Sequence, residues 1–208
     1  MELLVDEKAI LEAIKSGAVN IDYEEIEIPK DINIEITGKK VKVSGPKGSV
    51  EKDFSHMPIY ILKEADKIYV ACNARKRKDT KYLGTTITKI RKMIEGVQKR
   101  FIYVHKVVYR HFPPRVEVDT ENKQILIKGF YGRRDTIKVP IYGDVEVEVE
   151  NQPGSEIPDL IYLKGCDIEA VSLTSSALEE VCKLRGKYRK DIRVFYDGIW
   201  LWKKTQEE

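Results

Sequence analysis

The chain has 208 residues, of which 42% are hydrophobic and 34% are charged, and its formal net charge at pH 7 is +3. This length and apolar content suit one large domain or two small ones with a true core, and no apolar run is long enough to span a bilayer. The first ten residues, MELLVDEKAI, lack the basic start and the long apolar stretch of a secretory signal.

The charges are segregated along the chain. Acidic side chains outnumber basic ones ten to three in residues 1–35 and ten to one in residues 144–180. Basic side chains outnumber acidic ones twelve to two in residues 75–110 and eight to two in residues 183–204. Separate basic and acidic faces are typical of a protein that binds a polyanion with one side only.

Residues 1–24 are predicted to form an N-terminal extension that lies outside the rest of the fold. They include DEKAILEAIKSG, an amphipathic segment that is expected to form a short helix ended by Gly17. The extension is acidic, so we expect it to contact solvent or a neighbouring protein and not RNA.

A strand-rich unit then occurs twice. INIEITGKKVKVSGPKGSVEKDF and PRVEVDTENKQILIKGFYGRRDTIKVP each contain two alternating strands, a Gly-x-x-Gly tip (Gly45–Gly48 and Gly129–Gly132) and a third strand. Further on, KIYVAC resembles LIYLKGC, and a helix-like segment follows each of them. A recurrence at roughly 80 to 95 residues indicates a duplicated small domain.

The first helix is indicated by apolar residues at spacings of three and four, with Asp79 or Thr80 as its N-cap. This stripe consists of Leu83, Ile87, Ile90, Ile94, Val97 and Phe101. The opposite face is basic and carries Lys81, Lys89, Arg91, Lys92, Lys99 and Arg100.

The second half continues with strands and a weaker helix. VHKVVY and DVEVEVE read as strands, and in the latter the valines face one way and the glutamates face water. The second helix is predicted to start after Asp167 as its cap. Its apolar side carries Val171, Thr174, Leu178 and Val181, with Leu184 or Arg185 next, and it is interrupted by Ser172, Ser175 and Ser176.

These elements predict an α+β fold of two tandem similar domains, each an antiparallel β-sheet covered by one α-helix. The expected limits are an N-terminal extension (1–24), a first α+β domain (25–101), a second α+β domain with a basic aromatic C-terminal segment (102–203) and a tail (204–208).

Catalytic and metal-binding patterns are weak. His56, His105 and His111 have no partner at a metal-ligand spacing, so packing or surface roles are favoured. Gly45-Pro46-Lys47-Gly48-Ser49 lacks the glycine spacing of a nucleotide-binding loop and leads into a strand. The glutamates of DVEVEVE are spaced as one solvated strand face, not as an acid–base pair. We therefore predict no catalytic residue, no metal and no cofactor, and we interpret Cys72, Cys166 and Cys182 as reduced, partly buried thiols of a cytosolic protein.

Clusters of cations are the strongest functional signal. They lie at the first tip (Lys47), before the first helix (Arg75, Lys76, Arg77 and Lys78), beyond the second tip (Arg133 and Arg134) and near the C-terminus (Lys187, Tyr188, Arg189 and Lys190). The four-residue run before the first helix is by itself compatible with a solvated loop, a nuclear import signal or a polyanion contact. Trp200 and Trp202 either stack on unpaired bases or form a last strand that packs on the second domain.

Three stretches together resemble the large-subunit ribosomal protein family numbered six in bacteria and nine in eukaryotes. They are IEITGKKVKVSGPKGSVEKDF, IRKMIEGVQKRFIYVHKVVYRHFP and RKDIRVFYDGIWL, and GCDIEAVSLTSSALEEV is similar to the second helix of that family. The resemblance spans roughly residues 25–203 and is of the eukaryotic and archaeal type.

The resemblance implies a structural protein of the large subunit that binds ribosomal RNA near the sarcin–ricin loop and the docking region of translation GTPases. It implies partners in large-subunit ribosomal RNA, in neighbouring large-subunit proteins and, indirectly, in translation GTPases. No membrane partner is implied, and the location is cytoplasmic, with a nucleolar stage during assembly in a eukaryotic cell. RNA contacts are expected at Lys47, at Lys187, Tyr188, Arg189 and Lys190, and at Arg193, Asp197 and Gly198. The alternatives are a free-standing nucleic-acid-binding protein and, less favoured by the residues, an enzyme.

Overall fold

The computed structural model describes residues 21–73, 77–110, 112–154, 156–183, 191, 193–194 and 196–207, with the side chains of residues 77–79 outside that description. The chain divides into two compact units, residues 1–98 (unit 1) and residues 99–208 (unit 2). Among the described residues, no helix is long and apolar enough to cross a membrane.

Unit 1 combines two three-stranded sheets with one helix. Its elements are β1 (Ile21–Glu27), β2 (Asn33–Thr37), β3 (Lys40–Gly45), β4 (Gly48–Asp53), β5 (Ile59–Glu64), β6 (Lys67–Asn73) and α1 (Arg77–Gln98). The strand orders are β1-β6-β5 and β2-β3-β4, with antiparallel pairing throughout. Helix α1 packs on both sheets through its apolar side, and the core of the unit lies between them.

Unit 2 repeats this order and adds a strand. Its elements are β7 (Phe101–Val108), β8 (Arg115–Asp119), β9 (Gln124–Lys128), a 3-10 turn (Phe130–Gly132), β10 (Ile137–Pro140), β11 (Glu146–Asn151), β12 (Pro158–Gly165), α2 (Ile168–Cys182) and β13 (Gly198–Gln206). The strand orders are β11-β12-β7-β13 and β10-β9-β8. The core is one cluster of side chains from both sheets and α2.

The predicted fold class and duplication are confirmed. In each unit a first strand precedes a three-stranded hairpin sheet, two further strands and a helix, and the first strand returns to pair with the strand before the helix. Each unit therefore contains two sheets, where one was expected. The pairs β1–β6 and β7–β12 are equivalent, and β13 occupies the other edge of β7.

The element limits differ from the expected ones at both ends. Strand β1 starts at Ile21 and belongs to the first sheet, because Ile26 is buried opposite Ile68. The extension was expected to run to residue 24, since the acidic IDYEEIE does not alternate cleanly. At the other end, β13 continues to Gln206 along β7, so most of the predicted tail from residue 204 is strand. The candidate helix at residues 6–17 lies outside the described residues.

Helix α1 has the predicted apolar stripe but other limits. Leu83, Ile87, Ile90, Ile94 and Val97 are buried. The helix begins at Arg77, so neither Asp79 nor Thr80 is its N-cap, and it ends at Gln98. Phe101 was expected to continue the stripe, but it is buried in strand β7 and not in the helix. The prediction included it because an apolar residue at the right spacing extends a stripe whatever its backbone conformation.

Helix α2 is capped as predicted. The Asp167 side chain accepts a hydrogen bond of 3.0 Å from the Glu169 amide. Ser175 was expected to interrupt the stripe, but it is buried and its hydroxyl lies 3.0 Å from Nε2 of the fully buried His105 on β7. This hydrogen bond pairs the Ser175 hydroxyl with Nε2 of His105 within the core, while Nδ1 of His105 is buried without a hydrogen-bond partner among the described residues. The expected packing role of His105 is thereby confirmed.

The three cysteines are free thiols, as predicted. Cys72 and Cys182 are buried and Cys166 is half-buried. Burial raises the pKa of the Cys182 thiol to about 11. Its sulfur accepts a hydrogen bond of 3.3 Å from the Ile199 amide, which links α2 to the start of β13.

Candidate nucleic-acid interface

The first tip is anchored on the end of helix α1. Strands β3 and β4 pair up to Gly45 opposite Gly48, which leaves Pro46 and Lys47 at the turn. The Lys47 amide donates a hydrogen bond of 3.1 Å to the carbonyl oxygen of Val97, in the last turn of α1. A carbonyl in that position has no partner within its helix, so this bond satisfies it and fixes the turn. The Lys47 side chain is half-buried, and its backbone is held in place by this hydrogen bond.

A glycine is required where the tip meets the helix. A Cβ atom at Gly45 would lie 2.8 Å from Cγ2 of Val97 and 3.0 Å from its carbonyl oxygen. These contacts are too short for any larger residue without a backbone shift. The glycine therefore serves the close approach of hairpin and helix, and the resulting loop presents Lys47 in one place.

The basic run before α1 is only partly described. Arg75 and Lys76 lie outside the described residues. Arg77 and Lys78 form part of the first turn of α1, and their side chains are not described. An RNA contact by these four residues stays a prediction from the sequence.

The second tip has a different geometry from the first. It is a 3-10 turn in which Gly129, Tyr131 and Gly132 have φ values of 72°, 54° and 70°. The Tyr131 backbone is left-handed although the residue has a Cβ, which is uncommon and points to support from its surroundings. Part of this support is the Phe130 ring, which meets the Tyr131 ring edge-on with centroids 4.7 Å apart.

The two arginines beyond this tip are not equivalent. Arg133 makes two hydrogen bonds to the Asp135 carboxylate, with Nε–Oδ1 at 2.8 Å and Nη2–Oδ2 at 2.5 Å. These bonds hold the pKa of Asp135 below its usual range. Arg134 is exposed. Arg134 therefore offers a cation to a polyanion directly, whereas Arg133 must share its charge with Asp135.

The C-terminal segment before β13 touches the second tip. The Tyr131 hydroxyl donates a hydrogen bond of 3.4 Å to the Asp197 carbonyl oxygen. The Asp197 carboxylate is buried and accepts a hydrogen bond of 3.4 Å from the Arg110 amide. Asp197 was predicted as an RNA contact, and the structure gives its carboxylate a role within the chain, where it ties the end of β7 to the start of β13.

Gly198 also has an internal role. A Cβ atom at this position would lie 2.7 Å from two carbon atoms of the Trp200 ring. That ring is half-buried, and its Nε1 donates a hydrogen bond of 2.9 Å to the Tyr196 carbonyl oxygen. The expectation that the tryptophans form a last strand is confirmed for β13. Trp202 remains 63% exposed, with Nζ of Lys106 lying 5.7 Å from the centroid of its ring.

Arg193 is a predicted cation that is largely exposed. Its side chain is 85% exposed and makes hydrogen bonds of 2.8 to 3.2 Å with Asp191. The predicted contacts Lys187, Tyr188, Arg189 and Lys190 lie outside the described residues, between α2 and Asp191.

Arg110 and Phe112 near the second tip were missed by the sequence analysis, whereas Tyr196 belongs to the basic and aromatic C-terminal segment that the sequence singles out. Phe112 and Tyr196 expose 54% and 67% of their surfaces, and Arg110 precedes Phe112 in the loop after β7. The Phe112 ring lies 3.5 Å from the position of a Cβ on Gly132, so it covers the tip directly. The pattern of basic and aromatic residues in YRHFP was the available signal. Exposed aromatic rings beside arginines can stack on unpaired bases while the guanidinium groups bind phosphate.

The second tip, the loop after β7 and the segment before β13 thus form one surface of unit 2, called here the tip surface. Its cations are Arg110, Arg133 and Arg134, and its exposed aromatic rings are Phe112 and Tyr196. Among the residues that the structure describes, no group of three or more His, Cys, Asp or Glu side chains could hold a metal ion.

Comparison with known proteins places this surface in context. No family model matches the chain. A protein of Staphylothermus marinus named large ribosomal subunit protein uL6 is 43% identical over 188 residues, which cover 89% of this chain and 96% of the relative. Proteins of the same name from Sulfurisphaera tokodaii and Archaeoglobus fulgidus are 39% and 34% identical, covering 88% of this chain in each case and 92% and 90% of the relatives.

Proposed function

The chain belongs to the uL6 family of large ribosomal subunit proteins, and from this premise we propose that it binds large-subunit ribosomal RNA through the tip surface and the first tip. It is a structural protein of the large subunit and serves translation. Family membership supports a structural role and not an enzymatic one. The observation that carries the RNA-binding proposal is that Arg110, Arg134, Phe112 and Tyr196, all exposed, lie on the connected loops of the tip surface.

The proposed mechanism is electrostatic and geometric. Cations on anchored loops neutralise phosphates and release counterions, so affinity falls steeply with salt. Hydrogen bonds from Lys47 to Val97, and between Tyr131, Asp197 and Arg110, hold those loops in place within each unit. Phosphate contacts of this kind fix position, and folded RNA is recognised mainly by shape and by its 2′-hydroxyl groups.

We further propose that the bound RNA lies near the sarcin–ricin loop and the docking region of translation GTPases, with which the protein interacts only indirectly. Neighbouring large-subunit proteins are its other partners. The location that follows is the cytoplasmic large subunit, and a nucleolar stage of assembly applies only if the cell is eukaryotic. The named relatives come from archaea.

Two experiments test this function. Sedimentation of the tagged protein with large subunits, at salt concentrations that strip loosely bound factors, supports it. A pool at the top of the gradient that carries messenger RNA or DNA supports a free-standing nucleic-acid-binding protein instead. Cross-linking followed by RNA sequencing then identifies the RNA and the peptides in contact with it.

Charge reversal at Lys187, Arg189 and Lys190 addresses the cluster that the sequence alone identifies. We expect the triple variant to bind ribosomal RNA more weakly and with a smaller dependence on salt. If it assembles into subunits as the wild type does, this cluster is not part of the contact surface.

A further inference from the structure

The outer face of helix α1 is cationic and open to solvent. Between residues 80 and 98, the helix carries Lys81, Lys89, Arg91 and Lys92 against a single carboxylate, Glu95. Lys81 and Arg91 are exposed, whereas Lys89 and Lys92 are partly covered. Nζ of Lys92 lies 2.7 Å from the Glu95 carboxylate, so part of one charge is neutralised. These five side chains together carry a formal charge of +3.

Two of the four cations lie on one line along the helix, called here the strip, and the other two lie on either side of it. At about 100° per residue, Lys81 and Lys92 point in nearly the same direction, opposite to the buried stripe. Lys89 and Arg91 lie roughly 80° to either side of that line. With a rise of about 1.5 Å per residue, the strip from Lys81 to Lys92 is about 16 Å long. A linear arrangement of this length matches a row of several phosphates better than a single anion.

Only small side chains lie between the cations of this strip. Gly84 is exposed on the same face, and a Cβ atom there would meet nothing within 4 Å. Its neighbours on the face are Thr85 and Thr88, whose hydroxyls bond to the carbonyl oxygens of Lys81 and Gly84 at 3.1 and 2.8 Å. These side chains are therefore short and held against the helix. Helix backbone is accessible between the cations.

Within the part of the chain that the structure describes, nothing accounts for a glycine at position 84. Its φ is not in the left-handed region, it makes no close contact, and glycine in an exposed helix interior is less favourable than alanine. A glycine at such a place is explained by the approach of an external partner to the helix backbone. This observation is independent of the charge.

We propose that the face of α1 formed by Lys81, Gly84, Thr85, Thr88, Lys89, Arg91 and Lys92 binds the sugar–phosphate backbone of a double-helical segment of ribosomal RNA. This inference rests on the proposed function and adds a contact surface on unit 1 to the first tip and the tip surface. RNA is favoured over an acidic protein because carboxylates on flexible side chains reach cations without approaching the helix. The phosphate backbone of an RNA helix is stiffer than such side chains. It can contact cations on both sides of the strip only if the small residue at Gly84 lets it approach the protein helix.

The first test removes charge. The variant carries Lys81→Gln, Lys89→Gln and Arg91→Gln, and its control carries Lys30→Gln, Lys40→Gln and Lys42→Gln, three exposed lysines of unit 1 away from α1. Binding to large subunits depleted of this protein is measured over a series of KCl concentrations. A plot of log affinity against log salt should have a shallower slope in the variant, smaller in magnitude by about 2 to 3, and an unchanged slope in the control.

The second test changes shape and leaves charge alone. Gly84→Ala should raise the Tm of the free protein by about 2 °C, because alanine favours the helix. Gly84→Gln should fold equally well but weaken binding to depleted subunits at least threefold. Ser172→Gln, at a partly exposed position of α2, adds the same side chain elsewhere and should leave binding unchanged.

The third test names the partner. Hydroxyl radicals are generated from iron tethered at Thr85→Cys in a Cys166→Ser background, within assembled large subunits. Cleavage on both strands of one RNA helix is the expected result, and Ser172→Cys should not cleave that helix. An unchanged salt slope, normal binding of Gly84→Gln, or an absence of RNA cleavage from position 85 would each overturn the inference. A wild-type chain that never joins large subunits would overturn the proposed function itself.

Discussion

The amide of Lys47 and the carbonyl oxygen of Val97 are 3.1 Å apart, and this hydrogen bond joins a hairpin turn to the end of a helix. Gly45 lies against the same valine, so the turn and the last helical residues are held by one glycine and one backbone bond. Position 45 is therefore where the first tip can be tested without touching its lysine.

Gly45→Ala should lower the free energy of unfolding by about 1 to 3 kcal/mol, because the new Cβ would overlap Val97. Urea denaturation measures this change. Gly84→Ala is the matched control, since the added methyl group there meets nothing within 4 Å and should stabilise by up to about 1 kcal/mol. Equal urea midpoints for the two variants would show that Gly45 is not packed closely against Val97.

His105 should make stability depend on pH. Burial lowers its pKa to about 4, and the carboxylate of Glu179 only partly offsets this effect. Between pH 6.5 and 4 the unfolded chain binds a proton on this residue that the folded chain does not. The stability that neutral His105 contributes is thus fully present above pH 6.5 and is lost as the pH falls. The loss in the free energy of unfolding levels off below about pH 4 at roughly 3 kcal/mol.

Because carboxylates titrate in part of the same range, the measured quantity is the difference between wild type and His105→Gln. The glutamine amide can still bond to Ser175 but does not titrate. Denaturation midpoints at a series of pH values should converge as the pH falls from 7 to 4. Parallel curves would mean that His105 keeps an ordinary pKa in the folded protein.

Gly198→Ala should displace the Trp200 ring, since its carbon atoms lie 2.7 Å from the position of the new methyl group. In a Trp202→Phe background, Trp200 is the remaining tryptophan of the chain. Its fluorescence maximum should move to longer wavelength as the half-buried ring becomes more exposed. If the emission spectrum is the same with glycine and alanine, Gly198 is not there to make room for this ring.

Arg134→Gln should weaken RNA binding more than Arg133→Gln does, because Arg133 is already paired with Asp135. The salt slope should fall by about 0.9 for Arg134→Gln if it contacts one phosphate. Lys123→Gln, an exposed position of unit 2 whose lysine pairs with Asp144, is the control for general charge loss. A larger loss for Arg133→Gln would place the RNA on the Asp135 side of the tip.

Local patterns predicted those elements whose signals are local. The stripe from Leu83 to Val97 identified α1, and Asp167 identified the start of α2, because periodicity and capping depend on neighbouring residues. The end of α1 was misplaced because Phe101 is buried in either conformation. The Lys47–Val97 bond that caps the helix joins residues 50 positions apart, which no local pattern shows.

The same limit applied to the candidate site. Cations such as Arg134 and Arg193 could be identified as charges, but the contact of Tyr131 with Asp197 spans 66 residues, and the internal role of Gly198 depends on a ring two residues later. Ser175 was treated as an interruption because its partner, His105, is 70 residues away. Composition and spacing therefore predicted the kind of ligand, and tertiary contacts decided which side chains are structural.

The pairing of β13 with β7 governs how the nascent chain can mature. Every described strand of unit 1 precedes residue 99, so that unit can fold while the rest is still being translated. Unit 2 cannot complete its sheet, because its first strand must wait for its last. At about 5 to 20 residues per second, that interval is roughly 5 to 20 s, during which β7 keeps an open edge that chaperones could recognise and that a truncated product would never close.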